Sequence, residues 1–282
     1  MSVNYRLHPA KVNKTQLLAT TWTMASVATV FFIARMVVRI KYSRAVFVDD
    51  ALACFALVCL IANAIVITLM CPMMYATLQL ASLGLGRRAN LFDDVILYMR
   101  YQFSSTLLFW TCIWLVKASF LAFFKRLTLN LKAHTIAWWV IAGLTIAGYA
   151  GSVISYPLSC IHPSIHEKRL TRPVACEHPY NIRIAIISLR LSTALDIATD
   201  ALIIALPMSL AWRVRLPFRT RLALSGVFAL GGFIVLFAII RVIVTDTKTS
   251  RPEVSWLNLW SAIESSIAVI VCNLAPFKTL FT

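Results

Sequence analysis

Charged residues are scarce in this chain, and acidic residues are the scarcest of them. Asp, Glu, Lys and Arg make up 13% of the 282 residues, with 11 acidic residues against 27 basic ones. A typical soluble domain contains about 25% charged residues. Here 60% of the residues are hydrophobic. This composition excludes an ordinary soluble domain and indicates an integral membrane protein.

The sequence also lacks the motifs of several familiar functions. It has no zinc-ligand spacing, no phosphate-binding glycine loop and no obvious catalytic nucleophile, so we expect no metal and no cofactor. The last apolar run has no central lysine for a retinal Schiff base, because Lys278 follows Pro276 at its edge. Where a conventional G-protein-coupled receptor has an acidic-Arg-aromatic triplet, the chain has "FFKRL". The net charge of +16 comes without a soluble aromatic platform, which argues against nucleic acid as a partner.

Long apolar runs, in contrast, occupy most of the chain. A bilayer-spanning helix needs about 20 apolar residues. We predict an all-α membrane protein in which residues 1–282 form one domain, a seven-transmembrane-helix bundle. The first run follows a polar stretch and has no small-residue cleavage site, so we expect an uncleaved helix rather than a signal peptide. The predicted spans are 18–38, 51–71, 101–124, 135–157, 184–212, 222–244 and 254–277.

The orientation is predicted from the positions of the basic residues. Equal numbers of Lys and Arg fall on the two sides of the predicted bundle. Those opposite the N-terminus are denser and lie directly at helix ends, as Arg35, Arg39, Lys41 and Arg44 do after the first span. We therefore predict that the N-terminus lies outside. The lipid bilayer is the partner implied by these charges, in the plasma membrane or an endomembrane.

One connection contains a pair of cysteines. Cys160 and Cys176 lie in the predicted outer loop "SCIHPSIHEKRLTRPVACEHPY", where an oxidising environment favours a disulfide. Cys71, at the outer end of the second predicted span, is the alternative partner. The three histidines of the loop do not have the spacing of a zinc site, so we do not predict one.

Two carboxylates share one face of the fifth predicted span. In "LSTALDIATDALIIALP", residues 191–207, Asp196 and Asp200 are one helical turn apart. Two neighbouring carboxylates in a low dielectric cannot both ionise cheaply, so either one is protonated or a cation from another helix compensates. Lys117, in the inner half of the third span, is the natural candidate.

Ionisable residues within membrane spans are costly and mark functional sites by default. We predict a polar intramembrane pocket for a ligand. The alternative is a buried Asp–Lys cluster that only fixes helix packing, and the serines next to Glu264 could satisfy that carboxylate locally. The predicted pocket residues are Lys117, Asp196, Asp200, Arg241 and Glu264.

Other acidic pairs do not complete a metal-diphosphate site. Prenyl-transferring membrane enzymes hold Mg²⁺-diphosphate with two acidic clusters, whereas "DIATD" is a single pair. Asp49–Asp50 and Asp93–Asp94 lie at different membrane edges, and we expect them to be solvated.

The order of motifs along the chain resembles the fungal rhodopsin-domain family. This family includes membrane proteins from satratoxin-type toxin clusters and receptor-like proteins involved in appressorium formation. The resemblance covers nearly the whole chain. The matching segments are "ARMVVRIKYSRAVFVDDALA", "GLGRR", "LVKASFLAFFKRL", "CIHP", "DIATDALIIALP", "SGVFALGGFIVLFAIIR" and "LWSAIESSIAVIVCNLAP".

The resemblance implies a seven-helix fold with the N-terminus outside, and it does not imply light absorption. The chain departs from the family where Arg88 replaces a frequent histidine and where the outer loop lacks a tryptophan. It ends almost flush with the seventh span, which we expect to disfavour G-protein coupling and favour a biosynthetic-cluster role. The positions typical of the family are Asp49, Asp50, Gly84, Gly86, Lys117, Asp200, Pro207, Arg241 and Glu264.

Two hypotheses for function follow. The favoured one is a non-enzymatic, receptor-like or accessory membrane protein linked to secondary metabolism, whose pocket recognises a small lipophilic molecule. The alternative is a membrane-embedded enzyme of cyclase or isomerase type, in which Asp196 or Asp200 is the general acid or base. The sequence does not predict an oligomeric state.

Overall fold

The computed structural model describes residues 12–43, 47–82, 89–127, 132–154, 191–206 and 254–274, and the single residues 187, 232 and 236. Regular structure in these segments is helical throughout. A π-helical turn, Arg39–Ser43, continues the first helix. The α-helices are α1 (Lys14–Val38), α2 (Val48–Ser82), α3 (Ala89–Leu127), α4 (Lys132–Ile154), α5 (191–206) and α6 (Val254–Leu274).

Five helical segments within the described ranges are long and apolar enough to cross a membrane. They correspond to the first, second, third, fourth and seventh predicted spans, and they confirm a multi-pass integral membrane protein. Helix α5 lies inside the fifth predicted window, and the sixth window falls outside the described residues apart from 232 and 236. The count of seven stays a prediction. The five segments are Lys14–Lys41, Val48–Leu78, Leu97–Lys125, Thr135–Ile154 and Val254–Leu274.

Several helices extend beyond their apolar windows. Helix α1 begins at Lys14, where the Gln16 side chain accepts a hydrogen bond from the Asn13 backbone N–H at 3.3 Å. Helix α2 was predicted to end at residue 71 but continues through Pro72 to Ser82. The apolar window for α2 was closed at Pro72, whereas the helix runs through this proline and its candidate membrane span reaches Leu78.

Helices α3 and α6 lie at the centre of the described bundle. Helix α3 packs most extensively against α2 and also contacts α4, while α6 contacts α1, α2 and α3. Small side chains such as Ala28 and Ala56 are completely buried in the main apolar core, where they permit close helix approach. Large apolar side chains such as Val30 and Ile146 are 65% and 71% exposed. They give the bundle the apolar exterior that a bilayer requires.

Helix α5 joins the bundle through an apolar contact with α3 and α4. Its Ile203 and Leu206 pack into a core cluster with Leu121 and Phe124 of α3 and Ile141 of α4. This contact lies about one to three turns beyond Asp196 and Asp200 and directs their face towards α3. The helix packing thus brings the two carboxylates to the side of Lys117.

Polar side chains also connect helices inside the bundle. The amides of Gln102 on α3 and Asn258 on α6 exchange two hydrogen bonds, of 3.3 and 3.1 Å. The hydroxyl of Ser105 donates to Asn63 of α2 at 2.7 Å. No water is present in a bilayer core to satisfy such groups. These hydrogen bonds therefore fix the rotation of α3 relative to α2 and α6.

Candidate functional site

Lys117 lies between the two carboxylates of α5. Its Nζ is 2.7 Å from Asp196 Oδ1 and 3.2 Å from Asp200 Oδ1. The lysine residue is 2% exposed. These three residues, with the neighbouring Thr199, are called the lysine cluster below. A cation from another helix beside both carboxylates is one of the two arrangements that the spacing of Asp196 and Asp200 allowed.

Two further acceptors complete the surroundings of the Lys117 ammonium group. Nζ donates to the Asp196 carbonyl oxygen at 2.7 Å and to Thr199 Oγ1 at 2.8 Å. The Thr199 hydroxyl in turn donates to the Leu195 and Asp196 carbonyl oxygens. An ammonium group has three hydrogens, and four oxygens lie within 3.2 Å of this one. The Asp200 carboxylate has the longest of the four contacts.

A tryptophan covers the Lys117 ammonium group from the side of α4. Lys117 Nζ lies 4.8 Å from the ring centroid of Trp114, one turn earlier on α3. The Trp114 ring occupies the space above Gly148 of α4, where an added Cβ would lie 2.5 Å from its Cη2 atom. Gly148 therefore permits the cation–π contact, which stabilises a desolvated ammonium by about 2 kcal/mol.

A second group of buried charges lies where α1 ends and α2 begins. Arg35 Nη2 is 2.7 Å from Asp49 Oδ2 and 2.8 Å from Asp50 Oδ1. Arg39, in the π-helical turn, pairs with the same two oxygens at 2.6 and 3.3 Å. All four side chains are at most 4% exposed. These four residues form the arginine cluster.

The arginine cluster also completes the hydrogen bonds of two helix ends. Asp50 Oδ2 accepts from the Phe47 backbone N–H at 3.0 Å, which satisfies a donor at the start of α2. At the end of α6, Arg35 Nη1 donates to the Cys272 carbonyl oxygen at 2.8 Å. An α-helix would have paired that carbonyl with the N–H of residue 276, which is a proline. Arg35 supplies the missing donor.

The expectation that Asp49 and Asp50 are solvated is wrong. They are 3% and 2% exposed, and Arg35 and Arg39, which we expected at the lipid headgroups, are 1% and 2% exposed. Pairing of each guanidinium with the carboxylates opposite explains their burial. The signal in the sequence was two arginines four residues apart on one helical face, a short connection and then two acidic residues. The burial of Arg35 and Arg39 in ion pairs also removes two of the basic residues that supported the predicted orientation.

The two clusters differ in charge balance. The arginine cluster has two cations and two carboxylates, in contact through four ion pairs. The lysine cluster has one cation for two carboxylates. The Asp200 Oδ2 atom is buried and accepts no hydrogen bond from any residue in the described ranges. A balanced cluster suits a structural role, whereas a surplus buried acceptor suits binding or proton transfer.

The remaining predicted pocket residues lie on the last two predicted spans. Glu264 of α6 is 2% exposed, and Arg241 lies outside the described residues. The hydroxyls of Ser265 and Ser266 donate to backbone carbonyls of α6, so their hydrogens are used within the helix. The structure thus brings together the three predicted residues Lys117, Asp196 and Asp200.

The predicted disulfide also falls outside the described part of the chain, since both Cys160 and Cys176 do. The cysteines within the described ranges are free thiols. The alternative partner, Cys71, is one of them and is buried. Within the described ranges no group of three or more His, Cys, Asp or Glu residues has the geometry of a metal site.

Comparison with known proteins gives two matches. Residues 34–282 match the family model of the fungal rhodopsin domain. A SAT4 family membrane protein of Emericella nidulans is 24% identical over 198 residues, which cover 67% of this chain and 47% of the relative. The chain therefore spans about half the length of the curated relative it matches. No solved structure was found to match it.

Proposed function

Since the chain belongs to the fungal rhodopsin domain family, a family of multi-pass membrane proteins, we propose that it is a receptor-like or accessory protein of secondary-metabolite biosynthesis. In this proposal a polar pocket within a seven-helix bundle, its N-terminus outside, recognises a small lipophilic molecule. The pocket is lined by Lys117, Asp196, Asp200, Arg241 and Glu264. The link to secondary metabolism comes from the resemblance to proteins of toxin clusters.

The lysine cluster is the observation that supports a binding function. A cluster whose only role was helix packing would be expected to balance its charges, as the arginine cluster does. In the lysine cluster the second carboxylate is buried at considerable cost without a cation of its own in the described structure. The presence of this carboxylate in an apolar bundle is explained if another molecule binds to it.

A membrane-embedded enzyme is the second candidate, because the same carboxylate could transfer a proton. Asp200 Oδ2 is a buried acceptor close to a fixed ammonium group, an arrangement that suits a general acid or base acting on a lipophilic substrate. The two candidates differ in one measurable property. An enzyme in lipid nanodiscs should convert its substrate without partner proteins, whereas a receptor-like protein should only bind it.

The metabolite profile of the native host tests the proposed function. We would compare the wild-type protein with the double variant Asp196→Asn/Asp200→Asn, with neighbouring biosynthetic genes under constitutive promoters. Asp93→Asn/Asp94→Asn is the matched control, because it removes the same two charges outside the proposed pocket. We expect the first double variant to lose one product and the control to retain it. Accumulation of the direct precursor would favour the enzyme.

An unchanged profile in a strain whose Asp196→Asn/Asp200→Asn protein is folded and present in the membrane would contradict the proposed link to biosynthesis. Membrane abundance and the thermal unfolding midpoint, Tm, of the purified protein establish that this variant is folded. A profile that changes equally in the control variant would point to a general effect of charge at the membrane rather than to a pocket.

A further inference from the structure

We propose that Asp200 is the carboxylate that binds the protonated amine of a small lipophilic molecule. This inference rests on the proposed function and specifies the chemistry of the ligand. It says that the molecule carries one ammonium group, which donates to the Asp200 carboxylate beside the Lys117–Asp196 pair. The rest of the molecule is apolar.

The first argument is the number of hydrogens on Lys117. Its ammonium group has three, and the three shortest contacts go to Asp196 Oδ1, the Asp196 carbonyl oxygen and Thr199 Oγ1, at 2.7, 2.7 and 2.8 Å. The contact with Asp200 Oδ1 is longer, at 3.2 Å. Lys117 thus makes two short contacts with Asp196 and one longer contact with Asp200.

The second argument is the environment of the Asp200 carboxylate itself. Oδ2 is buried and has no hydrogen-bond donor within the described residues. The Asp200 side chain is also the most accessible of the seven charged side chains in the two clusters, at 12% against 0–9%. Rotation about the Cβ–Cγ bond of an aspartate exchanges its two oxygens at low cost. A donor that reaches the accessible part of the Asp200 carboxylate can therefore form a hydrogen bond with the oxygen that has none.

The third argument is the chemistry that fits the surplus charge. A protonated amine supplies both the missing positive charge and several N–H donors in one group. A metal cation such as Mg²⁺ requires near-octahedral oxygen coordination, and among the described residues only the Asp200 carboxylate offers an unused buried oxygen here. An anionic ligand would add a third negative charge to one lysine. The apolar sequence of α5 on both sides of Asp200, "ALDIATDALIIAL", favours an otherwise lipophilic molecule.

Equilibrium binding of three matched probes tests this proposal. Radiolabelled dodecylamine, dodecanol and dodecanoate have the same chain length and differ in charge, and binding to empty nanodiscs is subtracted as bilayer partitioning. With the wild-type protein in nanodiscs at neutral pH we expect saturable binding of the amine, at least tenfold tighter than that of the alcohol. Asp200→Asn should weaken amine binding at least tenfold, and Asp93→Asn/Asp94→Asn should leave it unchanged.

Two results would overturn the amine assignment while leaving the proposed pocket in place. One is saturable binding of the alcohol as tight as that of the amine. The other is unchanged amine binding by Asp200→Asn. If no probe binds saturably, the assignment is also wrong, and an unchanged metabolite profile would then remove the proposed function as well.

A thermodynamic cycle tests whether Arg241 already neutralises Asp200. Thermal unfolding of Asp200→Asn, Arg241→Gln and the double variant gives the coupling between the two residues. The proposal expects additive shifts in Tm. If each single variant lowers Tm and the double variant loses clearly less than the sum of the two single losses, Arg241 is the cation of Asp200, which would overturn the proposal.

Discussion

Arg35 donates a hydrogen bond from Nη1 to the carbonyl oxygen of Cys272 at 2.8 Å, although 237 positions separate the two residues. The same guanidinium contacts Asp49 and Asp50. One buried side chain thus connects the end of α1, the start of α2 and the end of α6. Because Pro276 has no backbone N–H, the carbonyl of Cys272 needs a donor from another helix.

Arg35→Gln should destabilise the protein strongly. Removal of one partner from a buried charge cluster costs about 3–5 kcal/mol, because the remaining carboxylates stay buried without their cation. Thermal unfolding in nanodiscs measures the change. Lys41→Gln is the matched control, since it removes an exposed positive charge six residues away and should cost less than about 0.5 kcal/mol. Equal shifts in Tm for the two variants would mean that the arginine cluster does not hold the helices together.

The capping role of Arg35 can be separated from its ion pairs. Pro276→Ala restores a backbone N–H that can donate to the Cys272 carbonyl, so in the Arg35→Gln background it should recover about 1 kcal/mol, the net value of one hydrogen bond. In the wild-type background the same change should have little effect. No recovery in the double variant would show that the cost of Arg35→Gln comes from the carboxylates alone.

The two carboxylates of the lysine cluster should differ in their contribution to stability. Lys117→Met leaves both of them without a cation and should cost about 3–5 kcal/mol. Asp196→Asn removes the shorter ion pair and should cost about 1–3 kcal/mol. Asp200→Asn removes the surplus charge and should change the free energy of unfolding by less than about 1 kcal/mol. Unfolding of the three variants in nanodiscs gives this order, and a larger loss for Asp200→Asn than for Asp196→Asn would contradict the charge imbalance.

Gly148→Ala should displace Trp114 from Lys117. The new Cβ would lie 2.5 Å from the Trp114 ring, so the ring or helix α4 must move, at a cost of about 1–3 kcal/mol. Gly143→Ala is the matched control on the same helix, because nothing lies within 4 Å of its added Cβ. We expect a lower Tm for Gly148→Ala and no such decrease for Gly143→Ala. A Gly148→Ala protein as stable as wild type would show that the Trp114 contact is not tightly packed.

Cys160 and Cys176 should form a disulfide in the protein isolated from membranes. Both lie in the loop that the predicted topology places outside, where oxidising conditions favour the bond. Mass spectrometry of peptides prepared without a reductant, after alkylation of free thiols, identifies the pair directly. A Cys71 alkylated only after denaturation would agree with its burial as a free thiol. Recovery of a peptide that links Cys71 to either loop cysteine would overturn the predicted pairing.

The N-terminus should lie outside. An N-glycosylation acceptor sequence added before residue 1, with a spacer, should be modified in a eukaryotic host, and the same sequence inserted in the connection after α3 should remain unmodified. The number of glycans removed by an endoglycosidase is the measurement. Modification of the α3 insertion in place of the N-terminal one would reverse the predicted orientation.

The sequence predicted the lysine cluster and missed the arginine cluster, and the reason is physical. Asp196 and Asp200 lie inside an apolar window, where two neighbouring carboxylates need either a proton or a cation, so the sequence alone drew attention to them. Arg35, Arg39, Asp49 and Asp50 lie at the edges of such windows, where hydropathy is equally compatible with solvated and with buried charges. Only the approach of α6 and α3 buries them. The start of α2 and both ends of α3 were missed for a similar reason, because their charged residues carry no apolar signal.

The Arg35–Cys272 bond also has a consequence for the order of assembly. Helices α1 and α2 are synthesised early, and their arginines and aspartates can pair as soon as both are in the membrane. The carbonyl that accepts the hydrogen bond from Arg35 Nη1 is translated 237 residues later. Until α6 inserts, Arg35 Nη1 lacks this acceptor. The hydrogen bonds of the first helix are therefore complete only after the last of these helices has been inserted.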